Sequence, residues 1–195
     1  MELLDHLSPN EQAKGRKIHF EKGQILAHER DICQGVYFLL RGRIRIASYA
    51  LSGQEMVYNL VSDGQMFGNN LVFSESPEFR GNVIADTAGS CLYFEKTELL
   101  NLLQANPSFL NAYLSYEAEF VKRLNAKIKL LSLSSAEERL EFWLYANGGT
   151  LECQSVTRLA LDLSLSREAT SRLLHRLQKE NRIEIENHRI AQKGN

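Results

Sequence analysis

The chain has 195 residues, 44% hydrophobic and 24% charged, with 23 Lys plus Arg against 24 Asp plus Glu and a formal net charge of −1. That composition fits a soluble globular protein of one or two domains, and near-neutrality excludes a generally basic nucleic-acid coat while leaving room for a local basic surface. No stretch approaches the ~20 apolar residues of a membrane span, the N-terminus lacks the basic start and apolar run of a signal peptide, and Cys33, Cys91 and Cys153 lie far apart with no CxxC pair, which points to a reducing cytoplasm rather than a disulfide scaffold or a cysteine-held metal or iron–sulfur site.

Residues 35–48, GVYFLLRGRIRIAS, read as two strands punctuated by Gly35 and Gly42. Ile44 and Ile46 alternate with Arg43 and Arg45, the period of a sheet with one wet face. Glycines 53, 64 and 68 then mark turns, and residues 81–94, GNVIADTAGSCLYF, add two more apolar runs. Short strands at this spacing predict a small antiparallel barrel or sandwich over residues 1–105, with helical segments flanking it.

Asn106-Pro107 opens a long helix, the amide as N-cap and the proline pre-set for the first turn. Leu110, Leu114, Glu117, Val121, Leu124, Ile128 and Leu131 fall alternately four and three apart, a heptad seam with one polar member. Phe109, Tyr113, Tyr116 and Phe120 form a second stripe, free to cover the barrel. Two apolar faces on one helix predict a dimer, packing within one chain being the alternative. Lys127, beside the seam, is expected to carry its ammonium to solvent. The helix, residues 106–133, breaks at Leu133-Ser134. Ser135 and Glu138 fit a capping box opening the next helix, AEERLEFWLYAN, which Gly148-Gly149 can end.

Residues 134–195 therefore read as a separate helical domain. Residues 155–179, SVTRLALDLSLSREATSRLLHRLQK, have the layout of a helix-turn-helix. Leu159 and Ala160 point inward, the turn lies near Leu163-Ser164-Leu165, and Ser166 caps the second helix, whose Ala169, Leu173, Leu174 and Leu177 make a core stripe. Its other face carries Arg167, Glu168, Ser171, Arg172 and His175, with Arg176 and Lys179 beyond. Arginine suits the O6/N7 edge of guanine, Glu accepts from cytosine N4, and Ser can contact bases or phosphates. Periodicity alone equally fits a solvated amphipathic helix. Residues 182–190, RIEIENHRI, shift the balance: strand, turn at Asn187-His188, strand, which makes a wing.

Residues 165–190, LSREATSRLLHRLQKENRIEIENHRI, resemble the winged helix-turn-helix of the superfamily of the cyclic-AMP receptor protein and the fumarate–nitrate reduction regulator (Crp/Fnr), and the resemblance extends over nearly the whole chain. It implies an α+β fold: an N-terminal antiparallel jelly-roll β-barrel of the cyclic-nucleotide-binding type, a dimerisation helix built on Leu110, Leu114, Val121, Leu124, Ile128 and Leu131, and a C-terminal winged helix-turn-helix. It implies a homodimer on a pseudo-palindromic double-stranded operator, contact with RNA polymerase, and no enzymatic activity. DNA contacts would come from Ser166, Arg167, Glu168, Ser171, Arg172, His175 and Lys179, with Arg167, Glu168 and Arg172 on bases. Ser164 departs from the glycine the family often has at the turn.

The segment DGQMFGNNLVF matches the family's pocket loop, which places an effector near Gly68, Asn69, Asn70, Arg80 and Leu124. A cyclic nucleotide needs an acid after the loop glycine and an Arg-Ser pair for its phosphate, yet Asn69 follows Gly68. Ungapped counting puts Phe79 at the arginine position and Arg80 at the serine position; one inserted residue would restore Arg80 but set Gly81 where serine belongs. Lys127 and Ile128 replace the polar pair expected to meet the base. These departures argue against cyclic AMP, leaving an unidentified small-molecule effector, a thiol response, or no effector at all. The absence of cysteines before Cys33 argues against the iron–sulfur cluster of the fumarate–nitrate branch; His19, His28 and Cys33 are isolated enough that neither haem nor metal is assigned. The rival readings are a ligand-sensing barrel whose helical tail binds protein, and a barrel oxygenase, for which the HxH motif is missing.

Overall fold

The computed structural model describes residues 3–153, 155–186 and 188–193, leaving aside the side chain of Tyr58. The wing turn expected at Asn187-His188 thus falls in part outside the described residues. By contacts the chain forms two compact units, Met1–Glu119 and Phe120–Asn195.

A 3-10 turn (Leu3–His6) and helix α1 (Pro9–Gln12) lead into strands β1 (Arg16–Phe20), β2 (Ile25–Ala27), β3 (Gly35–Arg41), β4 (Ile44–Tyr49), β5 (Glu55–Val61) and β6 (Met66–Phe67). Helix α2 (Asn69–Val72), β7 (Asn82–Ala85), β8 (Gly89–Glu95) and α3 (Lys96–Ala105) follow. The strands pair antiparallel in two four-stranded sheets, ordered β1-β8-β3-β6 and β2-β7-β4-β5. Both contribute to one apolar core, with Val36, Phe38 and Phe94 from one and Ile44, Val61 and Val83 from the other. The arrangement is a jelly-roll left open, not a closed barrel. Edge strands β2 and β6 have only three and two residues, too short to carry a closing ladder. The alternation read at Ile44 and Ile46 ends at a register shift between Ile46 and Ala47. There β5 carries one extra residue, at position 58, opposite the Ile46–Ala47 pair, and Ala47 rather than Ile46 is fully buried.

Helix α4 (Pro107–Leu131) begins as its capping signal requires, the Phe109 amide donating to Asn106 Oδ1 at 3.0 Å. Phe109 and Tyr113 are buried in the first core and Tyr116 packs against it. On the heptad seam, Leu110 is partly covered by that core. Leu114, Val121, Leu124, Ile128 and Leu131 remain 47% to 66% exposed, a row of apolar side chains without cover in a single chain.

The second unit continues with α5 (Ala136–Ala146), β9 (Thr150–Glu152), α6 (Val156–Leu163), α7 (Arg167–Lys179), β10 (Ile183–Glu186) and β11 (Arg189–Gln192). The Ser135–Glu138 capping box opens α5. Leu140, Leu144, Leu159, Leu163, Leu173, Leu177, Ile183 and Ile190 form its core, with Leu130 from the end of α4. The wing is a three-stranded sheet, β10-β11-β9. Strand β9 is too short to show a period, and Leu151 is its one buried residue.

Candidate nucleic-acid interface and effector pocket

Helix α7 buries Thr170, Leu173, Leu174 and Leu177, spaced i, i+3, i+4 and i+7 as a core-facing stripe requires. Ala169, assigned to that stripe by the sequence, is only half-buried. Thr170 takes the position, and its hydroxyl donates to Ser166 O at 3.0 Å, so a polar group enters the core without losing a hydrogen bond. Ser166 Oγ accepts from the Ala169 amide at 3.1 Å, the expected cap. Ser164 ends α6 in the left-handed region, at φ 54°.

Arg167, Glu168, Ser171, Arg172, His175 and Lys179 are all exposed on the opposite face. The first four, with Val156 of α6, line an open depression of about 330 Å³. Among the described residues, Arg167, Arg172 and Lys179 enter no ion pair. Two forks, a carboxylate and a hydroxyl thus share one wet face, the donor–acceptor set that base edges require. The remaining charge of this stretch has another use. Arg176 pairs with Glu137 Oε2 at 2.7 Å, and Arg182 bonds both Glu137 Oε1 and Glu141 Oε1, the latter at 2.6 Å. These contacts tie α7 and the start of the wing to α5. The sequence signal was available in retrospect: Glu137 and Glu141 are one helical step of four apart on α5.

Lys127 turns toward α6 instead of running free into solvent. It is half-buried, and its Nζ donates to the carbonyls of Leu161 and Asp162 in the last turn of α6. The carbonyls at the end of a helix carry partial negative charge, and they draw the ammonium inward.

In the first unit, Gly68 sits at φ 82° at the start of α2. A side chain there would meet Gly35 O at 2.8 Å and Cys33 Sγ at 3.1 Å, so both the backbone and the space demand glycine. Asn69 is buried, and its Nδ2 donates to Glu117 Oε1 on α4 at 2.7 Å. Burial pushes the Glu117 carboxyl up, and the Asn69 bond draws it back. The nearby Tyr113 hydroxyl is buried without a hydrogen-bond partner among the described residues, and burial, with the field of Glu117, pushes its phenol up. Asn70 is exposed on the same short helix.

Phe79 is buried and pinned to the 30–31 segment, its amide donating to Asp31 O at 2.9 Å and its carbonyl accepting from Arg30 N at 2.8 Å. Arg80 beside it is exposed. Gly68, Asn69 and Glu117 therefore come together, while Arg80 points away from the core that holds Phe79. Leu124 lies in the second unit, exposed. Among the described residues, no group of three His, Cys, Asp or Glu side chains is placed to hold a metal ion.

Comparison with known proteins adds the relationship. A family model described as the cyclic nucleotide-binding domain matches residues 17–106. The cyclic AMP receptor protein of Thermus thermophilus is 25% identical over 171 residues, covering 85% of this chain and 78% of that protein. The nitrogen fixation regulation protein FixK of Bradyrhizobium diazoefficiens is 24% identical over 132 residues, and the match covers 67% of this chain and 53% of FixK. A mutant of CooA from Carboxydothermus hydrogenoformans has the same fold, with a TM-score of 0.74 at 20% identity over 100% of this chain and 92% of its own.

Proposed function

Residues 17–106 being a cyclic nucleotide-binding domain in a chain homologous to Crp/Fnr transcription regulators, we propose that the protein is a homodimeric, sequence-specific DNA-binding regulator. One observation carries the reading: the exposed face of α7, where Arg167, Glu168, Ser171 and Arg172 line a single depression. The exposed row Leu114, Val121, Leu124, Ile128 and Leu131 supports pairing through α4, since a heptad seam is stable when a second helix covers it. Two readers related by a dimer axis bind a pseudo-palindrome with half-sites about one helical turn apart. The resemblance implies half-sites like TGTGA or TTGAT. Selection from random duplex DNA tests this; recovery of no palindrome in any ligand state refutes it.

The effector is a small molecule other than a cyclic nucleotide. A buried cyclic phosphate carries a full charge that must be paired, yet Phe79 fills the buried position and Arg80 faces out. Asn69, where the family has the acid for the ribose, is engaged by Glu117. Titration calorimetry with cyclic AMP is expected to show no heat; a micromolar heat abolished by Arg80→Ala overturns this assignment. The cytoplasm is the compartment in which such a regulator meets DNA, and RNA polymerase is the partner through which it acts on transcription.

A further inference from the structure

The last carbonyls of a helix have no intrahelical partners. In α6, the left-handed Ser164 closes two of them. The Leu165 amide donates back to Ala160 O at 2.9 Å and the Ser164 amide to Leu161 O at 3.1 Å, the paired bonds of a Schellman end. The two left over, Asp162 O and Leu163 O, are taken by two cations from other elements, one of which also shares Leu161 O. Lys127, near the end of α4, donates to Leu161 O and, at 3.2 Å, to Asp162 O. Arg139 of α5 donates through Nη1 to Ser164 O at 3.2 Å and to Leu163 O at 3.5 Å. Its Nε and Nη2 both reach Leu133 O, at 3.4 Å, in the segment between α4 and α5.

Neither cation is spread over the surface. Lys127 and Arg139 make part-buried contacts; burial pushes the Lys127 ammonium below its ordinary range, and the Asp162 carboxylate draws it back. A cation taken out of water needs partners, and here the partners are the carbonyl end of α6. The position matters because α7 begins three residues past Ser164. The backbone at this turn sets the direction of the first turn of α7, where Arg167, Glu168 and Ser171 stand. A serine holds the left-handed conformation less willingly than glycine, so the turn depends on what grips its carbonyls.

We propose that Lys127 and Arg139 are positioning residues for DNA reading, a two-cation clamp that locks the helix-turn-helix turn to the end of α4 and to Leu133. The proposal rests on the reading of α7 as a DNA-reading helix. The clamp does not touch DNA. Its loss loosens the turn and lowers operator affinity, while the number of phosphates neutralised and the base preference stay as they were. The two cations differ in what can replace them. An arginine at position 127 keeps the charge and the donors. A lysine at 139 cannot span Leu133 O and Ser164 O at once, because only the guanidinium presents a rigid fork.

The test uses the full chain with Lys127→Met, Lys127→Arg and Arg139→Lys. Hydrogen exchange read by mass spectrometry over residues 161–168, without DNA, is expected to speed up in Lys127→Met and Arg139→Lys and to stay unchanged in Lys127→Arg. Fluorescence anisotropy with the operator selected by the parent protein is expected to show affinity about tenfold lower in the first two, as for the loss of a charge-assisted hydrogen bond. The salt slope should be unaltered and Lys127→Arg should match the parent. Unchanged exchange and affinity in Lys127→Met overturn the clamp. So does an affinity loss with a shallower salt slope, which would make Lys127 a phosphate contact. If Lys127→Met fails to fold, Arg139→Lys decides alone. If the parent protein selects no DNA, the regulator reading fails, and the exchange measurement still decides the clamp.

Discussion

Arg172 and Glu117 show how differently single residues could be read. Arg172 stands on the wet face of α7 beside Glu168 and Ser171, and its type and spacing were legible in the sequence. If it reads a base as proposed, its replacement by alanine is expected to cost about 1–3 kcal/mol of operator binding and to relax preference at one base pair, whereas Lys179→Ala, if that residue meets only phosphate, should weaken binding to all sequences alike. Binding to a library of single-base operator variants measures the difference. Glu117 was legible only as a polar interruption of a seam; its partner Asn69 lies 48 residues away. Burial raises its pKa above the ordinary 4.5. Between the unfolded and folded pKa values the folded state then holds more protons, so this group's contribution to stability falls as pH rises from about 4.5. Glu117→Gln keeps an acceptor for Asn69 and removes the ionisation. Its melting temperature relative to the parent should therefore rise as pH is taken from 4.5 to 7. A constant difference across that range would show that Glu117 titrates normally. Lys127 was misread for a related reason: its heptad position predicts solvent, but the carbonyls that capture it belong to α6, 34 residues on.

Among the elements, long ones with a strong period were the readable ones. The heptads of α4, the capping box of α5 and the turn between α6 and α7 all rest on neighbours a few residues apart. Strand β9 and the open edges of the jelly-roll do not: three residues carry no period, and whether a sheet closes depends on pairing between distant strands. The exposed row on α4 makes the strongest demand at this scale. With Ile128 66% exposed in one chain, Ile128→Asp should leave the monomer folded. In the proposed dimer it would place a carboxylate in an apolar seam without a partner, at roughly 3 kcal/mol or more per chain. Sedimentation is expected to show monomers with weak operator binding; an unaltered dimer would place the interface elsewhere.

At the scale of the whole molecule, a net charge of −1 means that no overall field draws the protein to a polyanion; attraction must come from local surface. Arg176 and Arg182 could add to that surface, but Glu137 and Glu141 hold them in ion pairs. Each cation that neutralises a phosphate releases counterions and strengthens attachment to any duplex, whatever its sequence. On a chromosome, millions of wrong sites compete with one right one, and time spent on each is lost to the search. On the proposed reading, the acids of α5, by keeping two guanidinium groups occupied, would shorten the stay on irrelevant DNA and leave discrimination to the exposed face of α7. Glu137→Gln frees Arg176 while Arg182 keeps Glu141, and it should raise affinity for random duplex and steepen its salt dependence by up to about one phosphate contact. Titrations of operator and random DNA at two salt concentrations would register the result as a narrower gap between target and background, a regulator that holds DNA more tightly and finds its gene more slowly.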